Sequence, residues 1–320
     1  MSITKGIICL SFIFAFALNA KTQNNMLAYK LSQDTVLQST YLGYGKHVSI
    51  YIPRTFDVNK KYPLLIHFDN EYAQTNSSID QIDKLTNVGQ IPSFVIVAIT
   101  SKSGYAPRAL EVLLPRVAPF NNPRISDEKL KNAKGEKLEQ FLFKELLPYM
   151  EQSFSADKEH VVLVGHSFYG YYTGYLFSEH IKDLFAVISN SPYFYLGKVN
   201  LTKELKANLA KVDNLSRRTY FYCGIGSIIQ GDDRWGWKKM MDMLDNTELP
   251  EKFSYKSYDY PNAGHNAVPI LTTGRALSDI YSKWFIINAT GNQQNEDSEL
   301  ALKRKREEIK SYYGISIPLP

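Results

Sequence analysis

Ser167 stands where an apolar run, Val161-Val162-Leu163-Val164, ends in Gly165-His166-Ser167 and gives way to a helix-forming stretch from Phe168. A serine hydroxyl is a poor nucleophile. It becomes useful when a sharp strand-to-helix turn exposes it, a histidine takes its proton and backbone amides face the developing oxyanion. Gly165 gives such a turn its clearance, and the first amides of the following helix point toward the charge. The pattern departs from Gly-X-Ser-X-Gly at one place, since Tyr169 stands where the second glycine is expected and Gly170 follows it. A tyrosine there must find room that glycine does not need, and the expectation is either a distorted turn or a ring that enters the acyl pocket.

Acyl-transfer chemistry then calls for a histidine after the last core strand. His265 supplies one, in the turn-rich loop Pro261-Asn262-Ala263-Gly264-His265-Asn266. The other five histidines fit less well: His47 and His67 fall on strands, His160 starts one, His180 ends a helix and His166 sits inside the turn. No pair has metal-ligand spacing. The acid that orients the histidine belongs between serine and histidine in sequence, after the strand that ends at Cys223. Asp232 and Asp233 compete for that role, with Asp233, next to the following helix, preferred. For the oxyanion the expected donors are the amide of Phe168 and that of Asn70, in the loop after an earlier strand, with Glu71 as the alternative. Tyr72, Tyr169, Tyr193 and Trp235 are the aromatic candidates for lining a substrate cleft.

These residues need a frame to hold them. Val48, Ile50 and Ile52 alternate with polar or aromatic neighbours, as in a half-buried antiparallel strand. The later runs at 63–68, 94–99, 161–164, 185–188 and 220–223 are short and continuously apolar, the signature of central parallel strands covered on both faces. Helices are expected at 78–88, 135–152, 168–180, 235–246 and 270–287. The alternation predicts an α/β fold: a doubly wound, mostly parallel sheet with antiparallel N-terminal strands and a C-terminal helical tail. The stretch 101–134, with Arg108, Arg116 and Arg124, lacks clear periodicity and is expected to lie over the active site.

Residues 1–20 read as a secretory signal, with Lys5 before an apolar run from Ile7 to Leu18 that is too short to cross a bilayer. The expectation is an exported protein, periplasmic or secreted, with no stable membrane span once the signal is removed. The rest of the 320 residues suits one large domain at 27–290, followed by a polar linker and a C-terminal helix at 291–320. Within that helix the run Lys303-Arg304-Lys305-Arg306 reads as a solvated face. Of two cysteines, Cys9 leaves with the signal and Cys223 is expected to be a buried thiol. The formal charge of +5 is spread along the chain and gives no argument for nucleic acid.

The segments Phe68-Asp69-Asn70, Phe141 to Tyr149, Gly165 to Gly170, Ser189 to Tyr195 and His265 to Pro269 together resemble the esterase family of α/β-hydrolases that includes esterase D and enterochelin esterase. The tail from Lys303 to Pro318 is similar to that of exported bacterial members. The resemblance spans about residues 30 to 290. It implies an α/β-hydrolase fold and hydrolysis of carboxylic esters or thioesters without a cofactor; the aromatic candidates would suit an aryl or sugar-linked small-molecule ester, and a siderophore ester is a further candidate. In that reading Ser167 attacks, His265 moves the proton and Asp233 orients His265. Two rivals are kept: transfer of the acyl group to a sugar or lipid hydroxyl, and a non-catalytic binding protein on the same fold.

Overall fold

The computed structural model describes residues 27–117, 125–196, 199–212, 215–228, 231–284 and 298–316. The expected signal at 1–20 and Arg124 lie outside them. Ten strands are present among the described residues: β1 (Tyr29–Ser39), β2 (Tyr44–Pro53), β3 (Tyr62–Phe68), β4 (Val95–Ile99), β5 (Ala156–His166), β6 (Ala186–Asn190), β7 (Tyr195–Leu196), β8 (Val199–Asn200), β9 (Thr219–Ile228) and β10 (Phe253–Gly264). Eight of them form one sheet in the order β1-β2-β4-β3-β5-β6-β9-β10, with β7 and β8 a separate short pair. The β1/β2 and β2/β4 pairings are antiparallel and every other pairing in the large sheet is parallel. Continuous apolar runs make the parallel strands because both faces are covered: β3, β4 and β6 are buried at every residue.

The helices are α1 (Ala73–Asn87), α2 (Tyr105–Val112), α3 (Asp127–Leu130), α4 (Gly135–Phe141), α5 (Leu147–Phe154), α6 (Phe168–Glu179), α7 (Leu201–Leu209), α8 (Gly231–Asp245), α9 (Val268–Ile280) and α10 (Ser298–Tyr313). Ile79 and Ile82 of α1, Leu277 and Ile280 of α9, and Ile309 and Tyr313 of α10 share one core with Val162, Val164 and Ile188. The opposite core joins α2, α4, α5, α6, α7 and α8 to Val161, Leu163 and Phe221. Alternate residues of β5 thus face opposite layers, as the two-residue period of a strand requires.

Several expected elements take different bounds. The helix expected at 135–152 is one run whose middle, Leu142–Leu146, widens to a π turn just before Pro148, which has no N–H to give. The helix expected from 78 starts at Ala73, because its polar first turn carries no apolar stripe. The stretch 101–134 contains α2, a 3₁₀ turn at Pro115–Val117 and α3. At eight residues, α2 spans barely two turns and shows too little periodicity to detect. α10 is no loose appendage: Arg218 donates through its backbone amide to Tyr313 and through Nε to Tyr312, while the Tyr313 hydroxyl donates to the Ile280 carbonyl. Lys303, Arg304 and Arg306 on its other face are exposed.

Candidate active site

All the parallel strands deliver their carboxyl ends to one edge of the sheet, where loops carry Asp69, Ser167, Ser191 and His265. Ser167 has φ 62° and ψ −116°, a conformation most L residues avoid. Such strain persists only when the surroundings over-determine it, and here they do. The Ser167 amide donates to the Asn190 carbonyl at 2.9 Å. A Cβ on Gly165 would meet the Tyr169 carbonyl oxygen at 2.3 Å, and one on Gly170 would meet the Asn190 carbonyl oxygen at 2.8 Å. The close approach of helix to neighbouring strand therefore falls at Gly170, one place later than the usual motif.

That shift frees position 169 for a large side chain, but not toward a pocket. Tyr169 is fully buried, stacks on Phe68 with ring centres 4.9 Å apart, and donates its hydroxyl to Glu111 Oε2 at 2.8 Å. The expectation that its ring enters an acyl pocket is corrected by this burial. Glu111 also accepts from the Tyr44 hydroxyl at 2.6 Å and pairs with Lys46 Nζ at 2.6 Å. Burial works against the Glu111 charge, and Lys46 with the two tyrosine hydroxyls outweighs it, holding the carboxyl below its ordinary range.

His265 follows β10 directly and is half-buried. Its carbonyl faces His166 Nε2 at 3.1 Å and Ser191 Oγ at 3.2 Å. Its ring centre is 4.5 Å from that of His166 and 5.8 Å from that of Tyr193. Burial, and then the positive charge of Arg108, pushes the His265 imidazole down to about 4. The neutral form, the one able to take a proton from a serine, dominates over a wide pH range.

Asp232 and Asp233 open α8, and their side chains lie outside the described residues. Phe168 opens α6, the end at which helix amides point outward. The Asn70 amide is already committed, donating to the Ile99 carbonyl at 3.0 Å. This corrects the expectation for Asn70: its amide, two residues beyond Phe68, continues the bonding to β4, so the next amide along the chain is that of Glu71. Among the aromatic candidates, Tyr193 packs against Phe168 at 5.2 Å and Tyr72 lies 5.4 Å from the Arg108 guanidinium. Trp235 lies on α8 and is 45% exposed, with Lys239 over its ring.

Sequence reasoning missed the group beneath the turn. Arg108 of α2 donates through Nε and Nη2 to the two Asp69 oxygens at 2.9 and 2.5 Å, and through Nη2 to the His166 carbonyl at 3.2 Å. Burial opposes the guanidinium charge, but Asp69 outweighs it and keeps Arg108 above its ordinary value. Burial likewise pushes the Asp69 carboxyl up, against the pull of Arg108. Asp69 itself has φ 64°, so one member of this pair is strained, and Arg108 also holds the carbonyl just before strained Ser167. The signal available in sequence was Arg108 beside apolar Ala109 and Val112.

No curated protein matches the chain in sequence. Among solved structures, the IroE-like serine hydrolase from Shewanella oneidensis superposes with a TM-score of 0.68 at 18% identity, covering 89% of each chain. The BES protein from Bacillus cereus gives 0.68 at 16% identity over 87% of this chain and 99% of that one. The siderophore hydrolase EstA from Aspergillus nidulans gives 0.58 at 13% identity over 84% and 99%. At these identities the likeness is one of fold. A family model described as "Putative esterase" matches residues 39–267, most of the chain. The chain belongs to that esterase family and is a carboxylic ester hydrolase of α/β-hydrolase architecture.

Proposed function

We propose that the protein is an exported serine esterase that works through an acyl-enzyme. The observation that carries this reading is Ser167 at φ 62° on the β5–α6 turn, with the His265 loop fastened beside it through His166 and Ser191. Ser167 Oγ attacks the ester carbonyl carbon while His265 takes its proton. The oxyanion donors are the amide of Phe168 and, in place of the engaged Asn70, that of Glu71, which also faces its own carboxylate. His265 then gives the proton to the departing alkoxide as the ester C–O bond breaks. Water repeats the sequence in reverse, and Ser167 is restored. Asp233, with Asp232 as its competitor, orients the imidazole and balances its transient charge.

The mouth of the site is aromatic. Tyr193 meets both Phe168 and His265, and Tyr105 meets Phe168 edge-on at 5.2 Å. Flat aromatic walls suit an ester with an aryl acyl group or a catecholate siderophore; the fold neighbour from Aspergillus nidulans is named a siderophore hydrolase, without the kind of siderophore. Export fits a substrate met outside the cytoplasm, and among the described residues no helix is long and apolar enough to cross a membrane.

The test is a matched panel of nitrophenyl acetate and butyrate, methyl ferulate and a catecholate siderophore ester. The reading requires hydrolysis of at least one, lost in Ser167→Ala, with kcat/KM highest for the aromatic members. Turnover retained within tenfold in Ser167→Ala overturns the mechanism, and a preference for plain alkyl esters overturns the substrate class.

A further inference from the structure

We propose that His166 and Ser191 are positioning residues which aim the His265 imidazole by holding its backbone carbonyl from two sides. This inference rests on the reading of His265 as the proton carrier and goes beyond it, because both residues hydrogen-bond to its backbone oxygen, while the His166 ring also packs 4.5 Å from the His265 ring.

A carbonyl oxygen only accepts. His166 Nε2, 3.1 Å from the His265 oxygen, must therefore carry the hydrogen, and Nδ1 is the acceptor, facing Gln74 Nε2 at 3.4 Å. The chain of donors runs from Gln74 on α1, through His166 at the end of β5, to the His265 carbonyl. Burial, with the charges of His265 and Arg108 behind it, holds His166 well below its ordinary value and so in the neutral form this chain needs. The second donor is Ser191 Oγ, 3.2 Å from the same oxygen.

Ser191 has φ 44°, directly before Pro192, and no glycine relieves it. A non-glycine residue in this region costs of the order of 1–3 kcal/mol, so it persists where the surroundings hold it. Its amide donates to the Gly224 carbonyl at 2.8 Å, and the preceding carbonyl, that of Asn190, accepts from the Ser167 amide. One strained turn thus fixes the nucleophile through Asn190 and the histidine through Ser191. The two catalytic side chains share a mount, and His166, the residue before the nucleophile, ties its other side.

The experiment uses the full chain and four variants. His166→Leu removes the donor, His166→Gln returns an N–H near the Nε2 position, Ser191→Gly removes the hydroxyl and relieves the backbone, and Ser167→Ala is the reference for the reaction itself. With nitrophenyl acetate, His166→Leu and Ser191→Gly are each expected to lower kcat by about 10–100-fold with KM within about twofold, as misplacement by a fraction of an ångström does. His166→Gln should recover kcat to within about fivefold of the parent, and Ser191→Gly should keep or raise Tm. Equal losses in His166→Leu and His166→Gln, or an unchanged kcat in Ser191→Gly, overturn the proposal. Imidazole ¹⁵N spectra read the geometry without turnover: a neutral His166 with its proton on Nε2 supports the arrangement, and an Nδ1–H tautomer overturns it. If Ser167→Ala leaves the rate intact, the esterase mechanism itself has failed, and the spectra still decide the hydrogen bond.

Discussion

Strand β5 carries two buried histidines, one near its middle and one at its carboxyl end, and the two live in different worlds. His160, toward the amino end, lies 4.1 Å from the Phe185 ring and shares a 2.6 Å hydrogen bond with the Tyr281 hydroxyl, in an aromatic cluster that includes Tyr313. His166, at the carboxyl end, is flanked by Gln74, the His265 carbonyl and the backbone that Arg108 grips. Burial keeps both neutral. Of the four described non-glycine residues with positive φ, Asp69, Ser167 and Ser191 lie at the carboxyl ends of strands. The fourth, Ser155, merely ends α5 in the left-handed conformation usual at a helix terminus. The sheet gathers backbone strain at the carboxyl ends of its strands, where the proposed site lies, and aromatic packing at the other.

The largest effect expected from this contrast is at the carboxyl end. His265→Ala should reduce kcat/KM by about 10⁴-fold or more with Tm nearly unchanged, and the Ser167→Ala/His265→Ala pair should be scarcely worse than either alone, since such residues act as a unit. His160→Ala should do the reverse, leaving kcat intact while lowering stability. It opens a cavity and strands the buried Tyr281 hydroxyl, an unsatisfied group that alone costs about 1–3 kcal/mol. Equal effects of the two substitutions on rate would erase the distinction between the ends. Asp233→Asn is expected to lower kcat by up to about 10⁴-fold and Asp232→Asn to do little. The opposite pattern transfers the orienting role to Asp232.

Tyr169 lies close to the reaction yet belongs to the core. Tyr169→Gly should therefore cost about 3–5 kcal/mol, as removal of a buried aromatic does, and Tyr169→Phe about 1–3 kcal/mol, because Glu111 loses a donor. Chemical denaturation measures both, and an acyl-chain preference changed in Tyr169→Phe at unchanged stability would return the ring to the pocket.

The broadest effect is on pH. Burial holds His67 and His265 down at about 4 and His160 and His166 well below their ordinary value, so the unfolded chain binds protons that the folded chain refuses. Stability is then full above about 6.5 and declines as pH falls toward 4. The acid limb of kcat/KM should lie below 6.5 for the same reason, and Arg108→Gln should move it upward by removing a charge that opposes the imidazolium. A limb above 6.5 in the parent would show a carboxylate at Nδ1 outweighing both influences.

The sheet and the strand-to-helix turn were legible because buried parallel strands are written as continuous apolar runs and the turn as Gly-X-Ser. Order along the chain was enough to expect His265 in the loop after the last core strand, where it follows β10. What escaped was set by geometry at one-residue resolution. The bonding to β4 reaches Asn70 and consumes its amide, which no local pattern announces. Gly170 takes the close approach that the motif assigns to position 169, and only the distance to Asn190 reveals it. Arg108 and Glu111 lie on a helix too short for periodicity, and their partners Asp69 and Lys46 are 39 and 65 residues away. Ser191 entered the sequence reading only as part of the segment Ser189 to Tyr195, and its strain appears only in the backbone angles.

The central claim is that Ser167 is an activated nucleophile, and a covalent probe tests it most directly. The full chain is incubated with a fluorophosphonate and the adduct located by peptide mass spectrometry. The account predicts stoichiometric labelling on Ser167, abolished in Ser167→Ala and slowed by orders of magnitude in His265→Ala. No adduct, or one on a residue other than Ser167, would contradict it.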